Sequence, residues 1–558
     1  MSIERSQNHD YQFWLGLSVI AAVLFSLSGL VPALRSQYTI QDDARQHIFW
    51  MQQFSDSELF QNDLIAEYFQ SVSPLGFQSL YRLITSLGID IWWFNQISPL
   101  LIGVATTVYC FAVSYLIFPV AIAGFWSSLL LNQNLWLLDD LASGTPRAFI
   151  YLLLLAFIYY LLKDRVIACI FMLVFQGLFY PQAVLISGFI LGFKLVFSSS
   201  NHQLEFIGLF TASIILLGYG IQTSDFAPVI SAQAAKVLPE FAAGGRSTFF
   251  SDNWVRFWLI GRRSGFFPVE WPYSLMCTYG LALWWLISYP QKFPLVKKIS
   301  PKTIIIPQLL LVSSCLYLLA HLLLFRLHLP GRYTHHSIRI CLALLDGITI
   351  TIISQAIIEF SQKFLTTKLF NSRLGKSLLF GILLIALLYP TYAAQSYPQR
   401  LGYVTGEATQ LYQFLQQQPA DTLVVTLSKE ADMIPSLAQR SVLTAAEYSI
   451  PYHQGYYQQL RRKIVDTISA QYSSNPQVVK QFIDRYQPDL WLLDRNAFTG
   501  EYLLNNPWLQ QFNPVTQQAL EQLQAQSNSF LAKNSDRCKV WQDAQHSLLD
   551  AKCLRQID

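Results

Sequence analysis

Charge is what this chain has least of: of 558 residues only 13% are Asp, Glu, Lys or Arg, against about 25% in an ordinary soluble domain. With 53% hydrophobic and 15% aromatic residues, the composition excludes an ordinary soluble protein and specifies an integral membrane protein. Paired cysteines of the CxxC kind are missing too. The seven cysteines stand scattered, which removes zinc ribbons and thioredoxin-like redox motifs, and no HExxH pattern is there to hold a catalytic zinc. A net charge of +4 is too small to mark a nucleic-acid partner. No internal repeat or low-complexity tract stands out. The polar start MSIERSQNHDYQ and the apolar run that follows, which has no small-residue cleavage site, read as a retained first span and not a signal peptide.

What the chain does have is long apolar runs. A bilayer core takes about 20 apolar residues per helix. The runs at 13–34, 95–117, 119–138, 148–162, 166–181, 182–198, 204–221, 272–290, 303–325, 338–360 and 377–396 make an α-helical polytopic membrane protein of about eleven transmembrane helices. With the N-terminus inside, Lys163, Arg165, Lys194, Lys292, Lys297, Lys298, Lys302, Lys363, Lys368, Arg373 and Lys376 all fall in cytoplasmic loops, as the positive-inside rule asks. The outer loops before residue 397 then hold one lysine, Lys236, and a set of arginines. The planar fork of arginine suits phosphate and carboxylate, so an anion is expected at the outer face.

From about Tyr403 the composition turns soluble. Short apolar runs at 421–428, 440–447 and 489–495 read as buried strands, with polar helices at 455–471 and 475–486 between them. The expected division is a transmembrane domain over 1–396 and a small C-terminal extracytoplasmic α/β domain over 397–558. Cys538 and Cys553 either pair in an oxidising exterior or stand as free thiols.

Four outer segments carry the chemistry. In YTIQDDARQHIFWMQQF (38–54), Asp43 and Gln46 have the spacing of a helix N-cap and its reciprocal partner. Asp42 is left over, a carboxylate at the membrane surface able to take a proton from a hydroxyl; a solvated acidic loop has the same sequence. In LLDDLASGTPRAF (137–149), Asp139 and Asp140 sit at a second membrane exit with Arg147 opening the next helix, and capping with a snorkelling arginine is the plain alternative. The loop 247–272 mixes Trp254, Phe257 and Trp258 with Arg256, Arg262 and Arg263, as an interfacial helix or an aromatic belt does. Gly261 and Gly265 flank its arginine pair, so the segment is able to close over a ligand. Last, FRLHLPGRYTHHSIRI (325–340) crowds Arg326, Arg332 and Arg339 with His328, His335 and His336, and Arg332 is the residue best placed for phosphate.

Together, the two acidic exits, the long outer loop and the LPGRYTHH segment, which is similar to a P-x-R-Y pattern before a late helix, resemble the GT-C superfamily. These are polytopic glycosyltransferases that use polyprenyl-linked sugars on the outer face of the membrane. The first pair is Asp-Asp where many relatives have Asp-Glu, and no WWD-type signature occurs in the tail. The resemblance implies an inverting sugar transfer with Asp42, or second to it Asp43, as base. Asp139, Asp140, Arg147, Arg262, Arg263, Arg332 and Tyr333 would then bind substrate, and the partners would be a polyprenyl-linked donor, the lipid bilayer and an unspecified acceptor. Magnesium or manganese held by Asp42 and Asp140 between the two Asp-Asp loops is left open, because GT-C enzymes differ in metal use. Two rivals stand beside this reading: a non-catalytic scaffold of envelope polysaccharide assembly, and a transporter or flippase. The spans carry little mid-membrane charge for transport, Asp346 being the main exception.

Overall fold

The computed structural model describes residues 2–197, 202–221, 225–268, 278–364, 372–393, 401–525 and 528–557. The helices that build the bundle and the site are, in chain order, α1 (Ser2–Leu34), α2 (Asp42–His47), α3 (Ile91–Ile117), α4 (Ala121–Leu135), α5 (Asp139–Ala142), α6 (Ile150–Leu162), α7 (Val166–Phe179), α8 (Gln182–Phe197), α9 (Gln203–Ile221), α10 (Ile305–Leu322), α11 (Gly331–Phe364) and α12 (Arg373–Ala393). Ten of the eleven expected spans each coincide with one of these helices. The range 272–290 begins outside the described residues, and its described part holds only short helical turns at Tyr279–Leu281 and Ala282–Ile287. Among the described residues, five helices are long and apolar enough to cross a membrane: α1, α3, α9, α10 and α11. Shorter apolar helices include α6, α7 and α8.

Polar residues inside the bundle are bonded locally or across helices. Asp90 caps α3 by accepting from Trp93 N–H at 2.8 Å. Thr106 and Thr107 return their hydroxyls to carbonyls one turn back, and Asn132 Nδ2 donates to Thr107 Oγ1 at 2.7 Å, tying α4 to α3. Asp346, the acidic exception inside α11, accepts from the backbone N–H of Gly280. That bond fixes the 279–287 segment to the helix and gives the buried carboxylate a structural partner.

Beyond α12 the chain enters β2 (Tyr403–Thr405), which pairs antiparallel with β1 (Thr39–Gln41), the strand between α1 and α2. A five-stranded sheet follows. Its central strands β3 (Leu423–Thr426) and β5 (Leu490–Asp494) are parallel, β4 (Ser441–Val442) lies parallel on one edge, and β7 (His546–Asp550) and β6 (Lys539–Gln542) run antiparallel on the other. Helices α13 (Gln454–Tyr472) and α14 (Pro476–Tyr486) pack on it. Cys538 and Cys553 form a disulfide with their Cα atoms 5.5 Å apart.

The α/β unit shares its core with the loop after the first span. Ile40, Ala44, Ile48, Phe49 and Trp50 are buried in one apolar cluster with Leu411, Tyr412, Ile434, Tyr448 and Tyr456. Burial of a large apolar side chain is worth roughly 1.5–3 kcal/mol, so this junction holds α2 and its carboxylates in a fixed position against the tail.

Candidate functional site

The acidic residues of two loops meet one arginine. The end of α1, the end of α4, the start of α6 and the start of α11 lie at the same end of the bundle, so the loops carrying Asp43, Asp139, Asp140, Arg147 and Arg332 converge there. Arg147 Nη2 donates to Asp43 Oδ2 at 2.5 Å and lies 3.4 Å from Asp139 Oδ2, while its Nε is 3.1 Å from Asp140 Oδ1. Arg262 donates to Asp139 Oδ2 at 2.6 Å. Asp140 is engaged further by Arg339, which donates at 2.8 Å, by the Tyr151 hydroxyl at 3.2 Å and by Arg332 at 3.8 Å. Three carboxylates thus face four guanidinium groups.

Local sequence explains the arrangement. Pro146 opens the turn that presents Arg147. Gly144 takes a left-handed φ of +59° and packs so close to Asn95 that an added Cβ would lie 2.5 Å from its Nδ2; only glycine fits. Asn95 donates to Ser143 O at 2.9 Å, locking the acidic loop onto α3. Gly402, with φ +72°, accepts from Asp42 N–H at 2.7 Å through its carbonyl, and Gln41 Nε2 donates to Leu401 O at 3.1 Å. The segment entering β2 therefore positions the start of α2.

Electrostatics keep the acids ionised. Burial alone would raise the Asp43 carboxyl, but Arg147 first, then His47, Arg332 and Arg262, hold it below its ordinary value. Burial opposes ionisation of Asp140 as well, and Arg147, Arg339, His336 and Arg332 overcome it, leaving this carboxyl well below the usual range. His47, one turn beyond Asp43, is lowered by burial first, with Asp43 pulling the other way.

Of the residues named from the sequence, Asp43, Asp139, Asp140, Arg147, Arg262 and Arg332 come together. Asp42 does not join them. It pairs with Arg45, whose guanidinium also meets Glu447 Oε2 at 3.1 Å. Arg263 also turns away from the carboxylates: its side chain donates to Thr248 O at 3.3 Å, and its carbonyl accepts from Gly331 N–H at 3.0 Å at the start of α11. Tyr333 is buried and donates to Leu327 O at 2.8 Å, bracing the turn before α11. The expected cap is not formed by Asp43 and Gln46. Gln41 caps α2 by accepting from Ala44 N–H at 3.1 Å, and the Gln46 side chain donates to Glu447. Arg339, His336, Tyr151 and His47 complete the site and were not singled out as ligands from the sequence. All but His47 lie inside apolar helices, where one polar residue per turn gives no signal of convergence.

The residues present do not fit the divalent ion left open above. Asp42 and Asp140 face different arginines, and a guanidinium stands among Asp43, Asp139 and Asp140. Among the described residues, no group of three or more His, Cys, Asp or Glu is arranged to hold a metal ion.

Glu447, from the α/β unit, ties three elements together. It meets Arg45 and Gln46 of α2 and accepts from Arg246, in the long loop between α9 and α10, at 2.5 Å. Burial raises its carboxyl to about 7, with Arg246 and Arg45 opposing and Asp42 and Asp432 reinforcing. Between its ordinary value of 4.5 and about 7, the folded chain binds a proton that the unfolded chain has released. Its contribution to stability is therefore present at low pH and lost as pH rises through that window. Thermal unfolding should show wild type losing stability from pH 4.5 to 7 relative to Glu447→Gln. Parallel pH profiles for the two proteins would refute the assignment.

No family model matches the chain, and no curated protein matches it by sequence. Solved structures do. The oligosaccharyltransferase of Archaeoglobus fulgidus in its apo form superposes with a TM-score of 0.51 at 11% identity, covering 90% of this chain and 72% of that one. The same archaeal enzyme, AglB, in complex with an inhibitory peptide and a dolichol-phosphate gives 0.51 at 10% identity over the same shares. The chain shares the fold of this archaeal oligosaccharyltransferase. A mycobacterial arabinofuranosyltransferase, AftD, is similar at a TM-score of 0.46 and 14% identity, over 87% of this chain and 35% of that one. The fold shared with the archaeal oligosaccharyltransferase agrees with the resemblance drawn from the two acidic exits and the LPGRYTHH segment.

Proposed function

We propose that the protein is a membrane glycosyltransferase that moves a sugar from a polyprenyl-linked donor to an acceptor hydroxyl on the outer face of the cell membrane. The observation that carries this reading is an ionised carboxylate, Asp43, set within a cluster of four arginines at one end of the helical bundle. Asp43, and not Asp42, is the base: it faces the cluster, whereas Asp42 is held by Arg45 on the side of the α/β unit. Asp43 accepts the proton of the acceptor hydroxyl as its oxygen attacks the anomeric carbon from the face opposite the phosphate. The bond from that carbon to the phosphate oxygen breaks, its electron pair leaves with the polyprenyl phosphate, and configuration inverts. Arg332 and Arg262 stabilise the charge that develops on the leaving phosphate. The dolichol-phosphate bound by the archaeal enzyme of the same fold supports a polyprenyl phosphate as the leaving group.

Incubation of the purified protein with radiolabelled polyprenyl-linked sugars and envelope polysaccharide acceptors tests the proposal. Label should pass to the acceptor with release of polyprenyl phosphate, and label retained on the lipid across the donor series would refute it. Arg332→Lys separates a phosphate contact from a snorkelling cation. Lysine keeps the charge but lacks the bidentate fork, so transfer should fall about 10–100-fold, the worth of a hydrogen bond to a charged group. Undiminished transfer at limiting donor would remove Arg332 from the site.

The outward orientation of the α/β unit rests on the lysine distribution and on the Cys538–Cys553 disulfide, a bond of oxidising compartments. Ser474 is exposed. A cysteine placed there should react with a membrane-impermeant maleimide on intact cells, and reaction only after lysis would invert the topology.

A further inference from the structure

The geometry points to Arg147 as the resident cation of this site, standing where a divalent metal would otherwise bridge the acidic loops, so that the phosphate is bound without metal. The inference rests on the glycosyltransferase reading for the identity of the anion, but its electrostatic basis is independent of that reading. Asp43, Asp139 and Asp140 come from two separate loops, and the side chain they have in common is Arg147, at 2.5, 3.4 and 3.1 Å. Bridging acidic side chains of separate loops is what a bound magnesium or manganese ion does, at about 2.0–2.1 Å to each oxygen. The guanidinium does it here with its charge spread over a plane, and the acidic side chains around it are not arranged to hold a metal ion.

Charge balance points the same way. Arg147 is joined by Arg262 on Asp139, at 2.6 Å, and by Arg339 and Arg332 on Asp140, at 2.8 and 3.8 Å. Among these groups the guanidiniums outnumber the carboxylates, four to three, which favours an anion over a further divalent cation. The Arg147 side chain is 10% exposed, so this cation is held by the fold and does not exchange with solvent as a metal does. Neutralising it reverses the preference. Three carboxylates lose their common partner, and a divalent ion becomes the group that satisfies them.

Manganese binding to the full-length protein in nanodiscs, read by the EPR signal of free Mn2+, tests this without any turnover. Wild type should leave the signal unchanged, Arg147→Met should take up a single Mn2+ at least about tenfold more tightly than wild type, about 1.4 kcal/mol, and the double variant Arg147→Met/Asp43→Asn should lose it. A site for Mn2+ in wild type, or none in a folded Arg147→Met protein, overturns the inference. Should Arg147→Met fail to fold, wild type alone decides through a second measurement: binding of a water-soluble short-chain prenyl phosphate in EDTA and in magnesium. Equal affinity supports the inference, and binding only with magnesium overturns it. Failure of the prenyl phosphate to bind in either buffer, with the manganese results as expected, would strike the donor proposal and leave the role of Arg147 standing.

Discussion

Asp140→Asn should destabilise the protein by about 3–5 kcal/mol, the cost of removing one partner from a buried ion pair, and should abolish transfer with it. Only 9% of the Asp140 side chain is exposed, and each of its oxygens is engaged: Oδ1 by Arg147 and Arg332, Oδ2 by Arg339 and the Tyr151 hydroxyl. Asparagine keeps the shape but turns one acceptor into a donor, which must then face guanidinium N–H or the Tyr151 O–H. Arg147 keeps Asp43 and Asp139, yet Arg339 loses the carboxylate it meets at 2.8 Å inside the bundle. The pH profile adds a signature. Because the Asp140 carboxyl lies well below its ordinary value of 3.8, its stabilising contribution is complete at neutral pH and is lost only as pH falls below that value. Thermal unfolding of purified protein in detergent should show the deficit of the variant at pH 7 narrowing under strongly acidic conditions. A variant that melts with wild type at pH 7 would show that Asp140 is not the buried anchor described here.

The second large effect separates the two aspartates of the first loop. Asp43→Asn should cut transfer by about 10²–10⁴-fold, the usual worth of a general base, with a much smaller change in stability, since Asp139 and Asp140 still hold Arg147. Asp42→Asn should stay near wild type. The Asp42 side chain is 42% exposed, and exposed ion pairs are worth about 0–1 kcal/mol; Arg45 moreover keeps Glu447. Since Arg147 and its neighbours hold the Asp43 carboxyl below its ordinary value, the acid limb of kcat/KM should fall below pH 3.8, not at it. A dead Asp42→Asn beside an active Asp43→Asn would return the base to Asp42.

The sequence carried the membrane bundle and the loops of the site because both are local signals: apolar runs of bilayer length, and charged residues where those runs end. Asp139, Asp140, Arg147, Arg262 and Arg332 were legible on that ground. Which of two neighbours faces the site was not. Asp42 and Asp43 differ by one helical step of α2, and their directions are set by the β1–β2 pairing with residues 403–405, more than 360 positions along the chain. Arg262 and Arg263 are divided likewise by the way the Gly261–Gly265 turn meets Tyr317 and His335 through the carbonyls of Ser264 and Gly265. The cap was misread because Gln41, a residue of middling capping tendency, is placed by Leu401 and the strand before it. Glu447 and Arg339 show the same limit: each is an isolated charge in its own segment, and only the folded chain sets it against partners from elsewhere.

The most direct test of the central claim is a density map of the protein in nanodiscs with a polyprenyl phosphate. The phosphate should lie within hydrogen-bonding reach of Arg332 and Arg262, beside Asp43, with its chain running down the helical bundle. Density for the phosphate away from these arginines, with the cluster unchanged at saturating lipid, would contradict the account.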